Sequence, residues 1–125
     1  MWIYRQSTGA FLYPSGQTFT VGYSGAPATG KNNPAMQAEH NVGPIPCGVY
    51  DIAAPEDIDG GPHGPYVLPL LPRVGNQMFG RDGFLIHDDS LHHPGAASQG
   101  CIVTIGQATR QAIWESGDHV LQVIP

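Results

Sequence analysis

Phe84-Leu-Ile-His87, a loop, and then Ser98-Gln-Gly-Cys101-Ile-Val103 are the stretches on which the reading of this chain turns. In the first, a histidine ends a short apolar run. In the second, a cysteine stands behind a Ser-x-Gly turn and opens another apolar run. Short apolar runs bounded by turn residues read as buried strands, so a histidine is expected at the end of one strand and a cysteine at the start of another. A cysteine attacks as its thiolate, and its ordinary pKa is about 8.5, so near neutral pH it needs a nearby base or positive charge. The glycine before it permits a tight turn in which successive N–H groups face a developing oxyanion. The pair points to acyl transfer, with Cys101 as nucleophile and His87 as base.

The rest of the chain is built similarly. Trp2-Ile-Tyr4, Ala10-Phe-Leu-Tyr13 and Gln17 to Tyr23 read as three strands separated by Ser7-Thr-Gly and Pro14-Ser-Gly turns. Ser24 to Pro34 is a polar loop too long for a hairpin turn, and long loops often carry function. Ala35 to Asn41 is expected to form a short helical turn. Pro44-Ile-Pro-Cys-Gly-Val-Tyr-Asp-Ile52 begins with rigid prolines and ends as a strand. Pro55 to Pro65 reads as a loop. Tyr66 to Leu71 is a strand interrupted by Pro69, which predicts an edge or a bulge. Cys101 to Ile105 and His119 to Ile124 read as strands. Gln107 to Ser116 is the one convincing helix, with Gly106 and Gly117 at its ends and Ala108, Ala112 and Ile113 on one face. Trp2 and Trp114 are expected in the core, and His40, His63 and His119 are assigned no role.

Composition sets the bounds. The 125 residues include 17 Gly and 12 Pro, and only 12% are charged. With apolar runs between the Gly/Pro clusters, this describes a loop-rich, mainly β single domain over residues 1–125. The net charge is −5, and the five Lys and Arg residues form no basic patch, so nucleic-acid binding has no electrostatic support. No apolar run is long enough to span a bilayer. The start, Met1-Trp-Ile-Tyr-Arg-Gln, lacks the features of a secretory signal. Three explanations stay open: residence in the cytoplasm, export by a route that reads no such signal, or trimming of a longer precursor. The two cysteines, Cys47 and Cys101, make no disulfide framework, and Cys47 is expected free and buried.

These residues resemble a known family. Pro46-Cys-Gly-Val-Tyr-Asp-Ile52 is similar to the Pro-x-Gly-x-Tyr strand of L,D-transpeptidase catalytic domains. Ile86-His87 with Ser98-x-Gly-Cys101-Ile resembles their histidine and Ser-His-Gly-Cys signatures. The resemblance is closer to the L,D-transpeptidase-like effectors of type VI secretion. Its pieces are Tyr23-Ser-Gly25, Asn32-Asn-Pro34, Gly43-Pro-Ile-Pro46, Gly80-Arg-Asp-Gly-Phe-Leu-Ile-His87 and Ala97-Ser-Gln-Gly-Cys-Ile102. They stand in the family's order over residues 2 to 116. The resemblance implies a compact L,D-transpeptidase-like β-sandwich or barrel with one short helix after the cysteine strand. It also implies action on peptidoglycan tetrapeptide stems in a target bacterium's periplasm, by removal of the terminal D-alanine or its exchange for another D-amino acid. The partners it implies are the stem peptide, a periplasmic immunity protein and a component of the secretion apparatus. No cofactor or metal is expected.

In this scheme Cys101 is the nucleophile, His87 the base, and the backbone carbonyl of Asp88 the group that orients the imidazole, with the Asp88 or Asp89 carboxylate as alternatives. Gly100 and Cys101 would offer N–H groups to the oxyanion, with Ser98 shaping the turn. Tyr23, Ser24, Arg81 and Gln99 are candidate substrate contacts, Arg81 through a substrate carboxylate. Asn32 and Asn33 are expected to close their loop through side-chain-to-backbone hydrogen bonds. Gln99 stands where classical L,D-transpeptidases carry a second histidine, and that departure bears on donor geometry or acceptor choice. His92 and His93 compete with His87 on proximity alone. Three rival readings remain: a zinc site from His87, Asp89, His92 and His93, a papain-type or amidase-type cysteine peptidase, and a non-catalytic β-rich wall-binding or interaction module. The peptidase reading is opposed by the order of histidine before cysteine.

Overall fold

Nine strands and one α-helix make up the regular structure of the computed structural model, which describes residues 1–57 and 64–125. His63 and the middle of the Pro55–Pro65 loop lie outside the described residues. The strands are β1 (Trp2–Arg5), β2 (Ala10–Leu12), β3 (Thr18–Val21), β4 (Tyr23–Ser24), β5 (Gly48–Ile52), β6 (Leu68–Pro72), β7 (Leu85–His87), β8 (Ile102–Val103) and β9 (Val120–Ile124). Helix α1 (Gln107–Glu115) lies between β8 and β9, after the cysteine as expected. Hydrogen bonding links the strands in the order β3-β2-β1-β9-β5-β6-β7-β8-β4.

That order contains its own closure. β3 and β4 stand at opposite ends of it, yet a single residue, Gly22, separates them in the chain. Consecutive Cα atoms are about 3.8 Å apart, so the two end strands are held side by side and the sheet curls into a nearly closed barrel. The Gln17–Tyr23 stretch, expected as one strand, is therefore two. Gly22 is where it breaks, because its N–H donates to the Gly9 carbonyl at 2.8 Å and a Cβ there would stand 1.8 Å from the Val103 carbonyl oxygen.

The strands bury what their alternation predicts. Tyr4, Phe11, Ile45, Tyr50, Leu68, Ile86, Ile102, Ile113 and Leu121 are fully enclosed, and Trp2 joins them at 3% exposure. Trp2 sits against Phe11, Tyr13 and Phe19 at ring-centroid distances of 5.3–5.6 Å. Trp114 packs on the core rim and stacks flat on His119 at 3.7 Å.

Two local expectations are corrected. β6 is not an edge strand. It pairs with β5 through Leu70–Pro72 and with β7 through Leu68 and Pro69. The Leu70 N–H faces β7, donating to Phe84 O, so alternation turns the Pro69 nitrogen toward β5. Proline has no hydrogen to give there, and the β5–β6 ladder ends at the Ile52–Leu70 pair. The buried face of α1 carries Arg110 and Ile113, whereas Ala108 and Ala112 are exposed. The helical turn after Asn33 is a 3-10 turn over Pro34–Met36. Asn33 caps it through Oδ1 and holds Thr29 O through Nδ2, while Asn32 Oδ1 accepts from Ser24 N–H, as expected of both asparagines.

Candidate active site

β7 and β8 run parallel, with Ile86 opposite Ile102 and His87 opposite Val103. The Thr104 N–H donates to His87 O at 2.9 Å and fixes the end of the pair. Cys101 thus arrives one residue before β8, beside the strand that ends in His87. Both line one open cleft of about 620 Å³.

His87 is fully buried, and its Nδ1 lies 2.7 Å from the carbonyl oxygen of Asp88. A carbonyl only accepts, so the proton is on Nδ1 and Nε2 is the basic nitrogen. The Asp88 carboxylate is engaged elsewhere. Its Oδ1 accepts from the N–H groups of Asp89 (2.9 Å) and Gly106 (3.2 Å), and its Oδ2 pairs with the buried guanidinium of Arg110 at 3.5 Å. Of the orienting groups left open by the sequence, the carbonyl is the one bonded to the ring nitrogen. Asp89 instead pins the following loop, accepting from Tyr23 O–H at 2.6 Å and from the N–H groups of Ser90 and Gly95. Burial pushes its carboxyl up, but those hydrogen bonds and the charge of Lys31 more than reverse this and hold it below the ordinary value.

The turn before Cys101 is locked from within. The Ser98 hydroxyl is 3% exposed, donates to Cys101 O at 2.6 Å, and accepts from the N–H groups of Gly100 and Gly25 at 3.0 Å each. Gly100 has φ +147°, and a Cβ on it would lie 2.6 Å from Arg81 Nη2 and 2.8 Å from Phe84 Cε1. The Gly100 N–H is therefore engaged by Ser98 and not available to an oxyanion. The Cys101 N–H is the other donor expected of the turn. Burial pushes the Cys101 thiol up, and the Leu85 backbone N–H and the Arg81 charge pull the other way without reversing it. Cys47 is also a free thiol, half-buried rather than enclosed. It donates to Gln6 Oε1 at 3.3 Å, and burial raises its pKa.

Of the expected substrate contacts, Tyr23 and Ser24 do not line the cleft, and Arg81 borders it with its hydrogens engaged. Ser24 is fully buried, donating to Gly100 O at 2.8 Å and accepting from Ile45 N–H at 2.9 Å. Tyr23 is buried too, and its hydroxyl joins Asp89 to the Ala97 N–H. Burial, then the Asp89 carboxylate, pushes that hydroxyl up to about 12. Arg81 borders the cleft at 6% exposure, but its Nη1 donates to the carbonyls of Gln37 (2.6 Å) and Pro44 (2.8 Å) and its Nη2 to those of Gly43 (3.0 Å) and Gln99 (3.1 Å). All four of its Nη hydrogens are in use, so no bidentate grip on a substrate carboxylate is left. Gln99 does line the cleft and is exposed.

Several cleft residues escaped the sequence reading: His40, Asn41, Asp82, Phe84, Ser90 and Ala97. Asp82 and Phe84 lay within the Gly80–His87 motif, from which only Arg81 and His87 were singled out. His40 had no signal, because it is brought in by the turn after Met36, with Nε2 2.8 Å from Phe79 O. His93 lines the cleft as well. Among the described residues no group of three His, Cys, Asp or Glu side chains converges as a metal site would require. No helix among them is long and apolar enough to cross a membrane.

The family model of the Tlde1 domain matches residues 18–123, which takes in every element from β3 nearly to the end of β9. Neither a curated protein nor a solved structure matches the chain.

Proposed function

We propose that this chain, which belongs to the Tlde1 domain family of type VI secretion effectors, is a cysteine enzyme acting on peptidoglycan tetrapeptide stems. The single observation that carries the chemistry is the shared cleft. Cys101 and His87 line it together, and Asp88 O holds the imidazole with Nε2 as its basic nitrogen. The substrate class rests on the resemblance to L,D-transpeptidases and on the effector family.

The steps follow from these groups. The Cys101 proton passes to His87 Nε2, and the sulfur bonds the carbonyl carbon between the L-centre of the stem and the terminal D-alanine. The charge that develops on the oxygen faces the Cys101 N–H. The carbon–nitrogen bond then breaks, and His87 returns the proton to the leaving amine. Water or the amine of another D-amino acid attacks the thioester, gives its proton to His87, and releases the product, with the thiol restored. Water gives L,D-carboxypeptidase activity and an amine gives L,D-transpeptidase exchange. The exposed Gln99 at the cleft is the side chain positioned to influence that choice. In this reading the enzyme acts in the periplasm of the target cell, and the producing cell protects its own periplasm with an immunity protein. Delivery engages a component of the secretion apparatus.

The test is mass spectrometry of disaccharide-tetrapeptide muropeptides incubated with the wild-type chain and with Cys101→Ala, with and without an added D-amino acid. Loss or exchange of terminal D-alanine with the wild type only is expected. No change with folded wild-type protein overturns the tetrapeptide reading and favours a wall-binding module.

A further inference from the structure

The chain has four arginines, and three of them have an obvious electrostatic setting. Arg5 is exposed, Arg73 pairs with Asp51 at 2.9 Å on the surface, and buried Arg110 has Asp88 as its counter-ion. Arg81 differs. It is almost fully buried, and none of the ion pairs among the described residues includes it. Its partners are four backbone carbonyls, the face of Phe84, 5.2 Å from the guanidinium carbon, and the nearby Tyr50 hydroxyl, which burial pushes up so that it stays neutral. Carbonyls satisfy its hydrogens but carry no net charge, and a buried cation without an anion is costly to keep. A neutral donor could tie the same loops together at lower cost. The position of the charge is the informative part. Nη2 bonds Gln99 O and lies 2.6 Å from where a Gly100 Cβ would be, directly beneath the turn that presents Cys101.

We propose that Arg81 is a positioning and electrostatic residue for the reaction, a fixed cation whose missing counter-ion is the negative charge that appears at Cys101. It acts through its field at the reacting atoms, not by gripping the substrate. The thiolate, and after it the oxyanion of the tetrahedral intermediate, complete the charge pair. The site therefore favours anionic species at the reacting atoms. In a partly dry cleft such a pre-placed charge acts at full strength without reorganising. The direct pull of Arg81 on the Cys101 thiol is in the same sense. The other titratable groups lining the cleft are His87, His40, His93 and Asp82.

This inference rests on Cys101 being the nucleophile, and the test separates the two. The rate of Cys101 alkylation by iodoacetamide is followed against pH on the full chain, with peptide mass spectrometry scoring Cys47 apart. Arg81→Gln, which keeps amide donors and loses the charge, is expected to raise the midpoint by about one pH unit, a tenfold loss of thiolate at fixed pH. Arg81→Lys, which keeps the charge and loses the fork, is expected to stay near the wild type. A wild-type midpoint in Arg81→Gln, or an equal displacement in both variants, overturns the proposal. If Arg81→Gln does not fold, Arg81→Lys decides, since a displaced midpoint there refutes a role for charge. His87→Ala in the same assay reports on the underlying reading. An unaltered profile in that variant removes His87 as base whatever the arginine variants do.

Discussion

Ser98→Ala deletes one oxygen and three hydrogen bonds. The hydroxyl is used to capacity, donating once to Cys101 O and accepting from Gly25 and Gly100. At 3% exposure, water cannot replace it without opening the turn. Each buried polar group left without a partner costs about 1–3 kcal/mol. Three such groups at the low end give a loss of about 3 kcal/mol, and the high end is reduced by relaxation of the loop. With an unfolding entropy of about 2.1 cal/mol/K per residue, 125 residues convert that loss into a fall in Tm of roughly 11 °C. Thermal unfolding by circular dichroism reads it directly. A Tm for Ser98→Ala within about 3 °C of the wild type would show that the turn does not depend on this oxygen. The account of how Cys101 is presented would then fail.

Gly100→Ala forces a Cβ onto Arg81 and Phe84 at a φ that suits glycine, so Cys101 labelling should be lost or strongly slowed even where the fold survives. Unchanged labelling would contradict the described turn. Asp89 has its folded pKa depressed, so its stabilising contribution is full above the ordinary carboxylate value of about 4 and is lost as pH falls through the folded value. The Tm gap between wild type and Asp89→Asn should accordingly be wide at neutral pH and narrow in acid, and a gap independent of pH would refute the assignment. Arg110→Met removes the donors to the carbonyls of Tyr66 and Pro65, while the partly exposed Asp88 carboxylate keeps the N–H groups of Asp89 and Gly106. Urea denaturation should show a loss of about 1–3 kcal/mol, and a loss well under 1 kcal/mol would mean the arginine is not holding that corner.

Much of the fold was legible because apolar runs and turn residues alternate cleanly along the chain. Most strands and α1 followed from that pattern, although the expected Cys101–Ile105 strand is only Ile102–Val103, with Cys101 just before it. What was not legible lay in tertiary proximity. Gly22 reads as an ordinary residue in a β-rich run, and only the nearness of Val103 explains the break. Tyr23, Ser24 and Arg81 carry groups that suit a binding groove, yet each is turned inward by partners remote in sequence, such as Gly100 and Gln99. Arg110 on the buried face of α1 violates the helix's apolar pattern, because its partners at Tyr66, Thr104 and Asp88 come from three other segments. His40 reached the cleft wall by a turn whose course no local rule describes.

The closure at Gly22 ties the placement of the Cys101 turn to the far end of the sheet. The two-residue strand β4 is the seam of the barrel, paired with β8 at Tyr23–Val103 and Ser24–Ile102, and Ser24 from that seam holds the carbonyl of Gly100. Loop-closure entropy must be met before so short a pairing is rewarded. Parting β4 from β8 would take the Ser24 hydroxyl away from the Gly100 carbonyl, beside Cys101. The turn that carries Cys101 is thus held in part by Ser24 in the last strand of the sheet order, 76 residues from Gly100 in the chain.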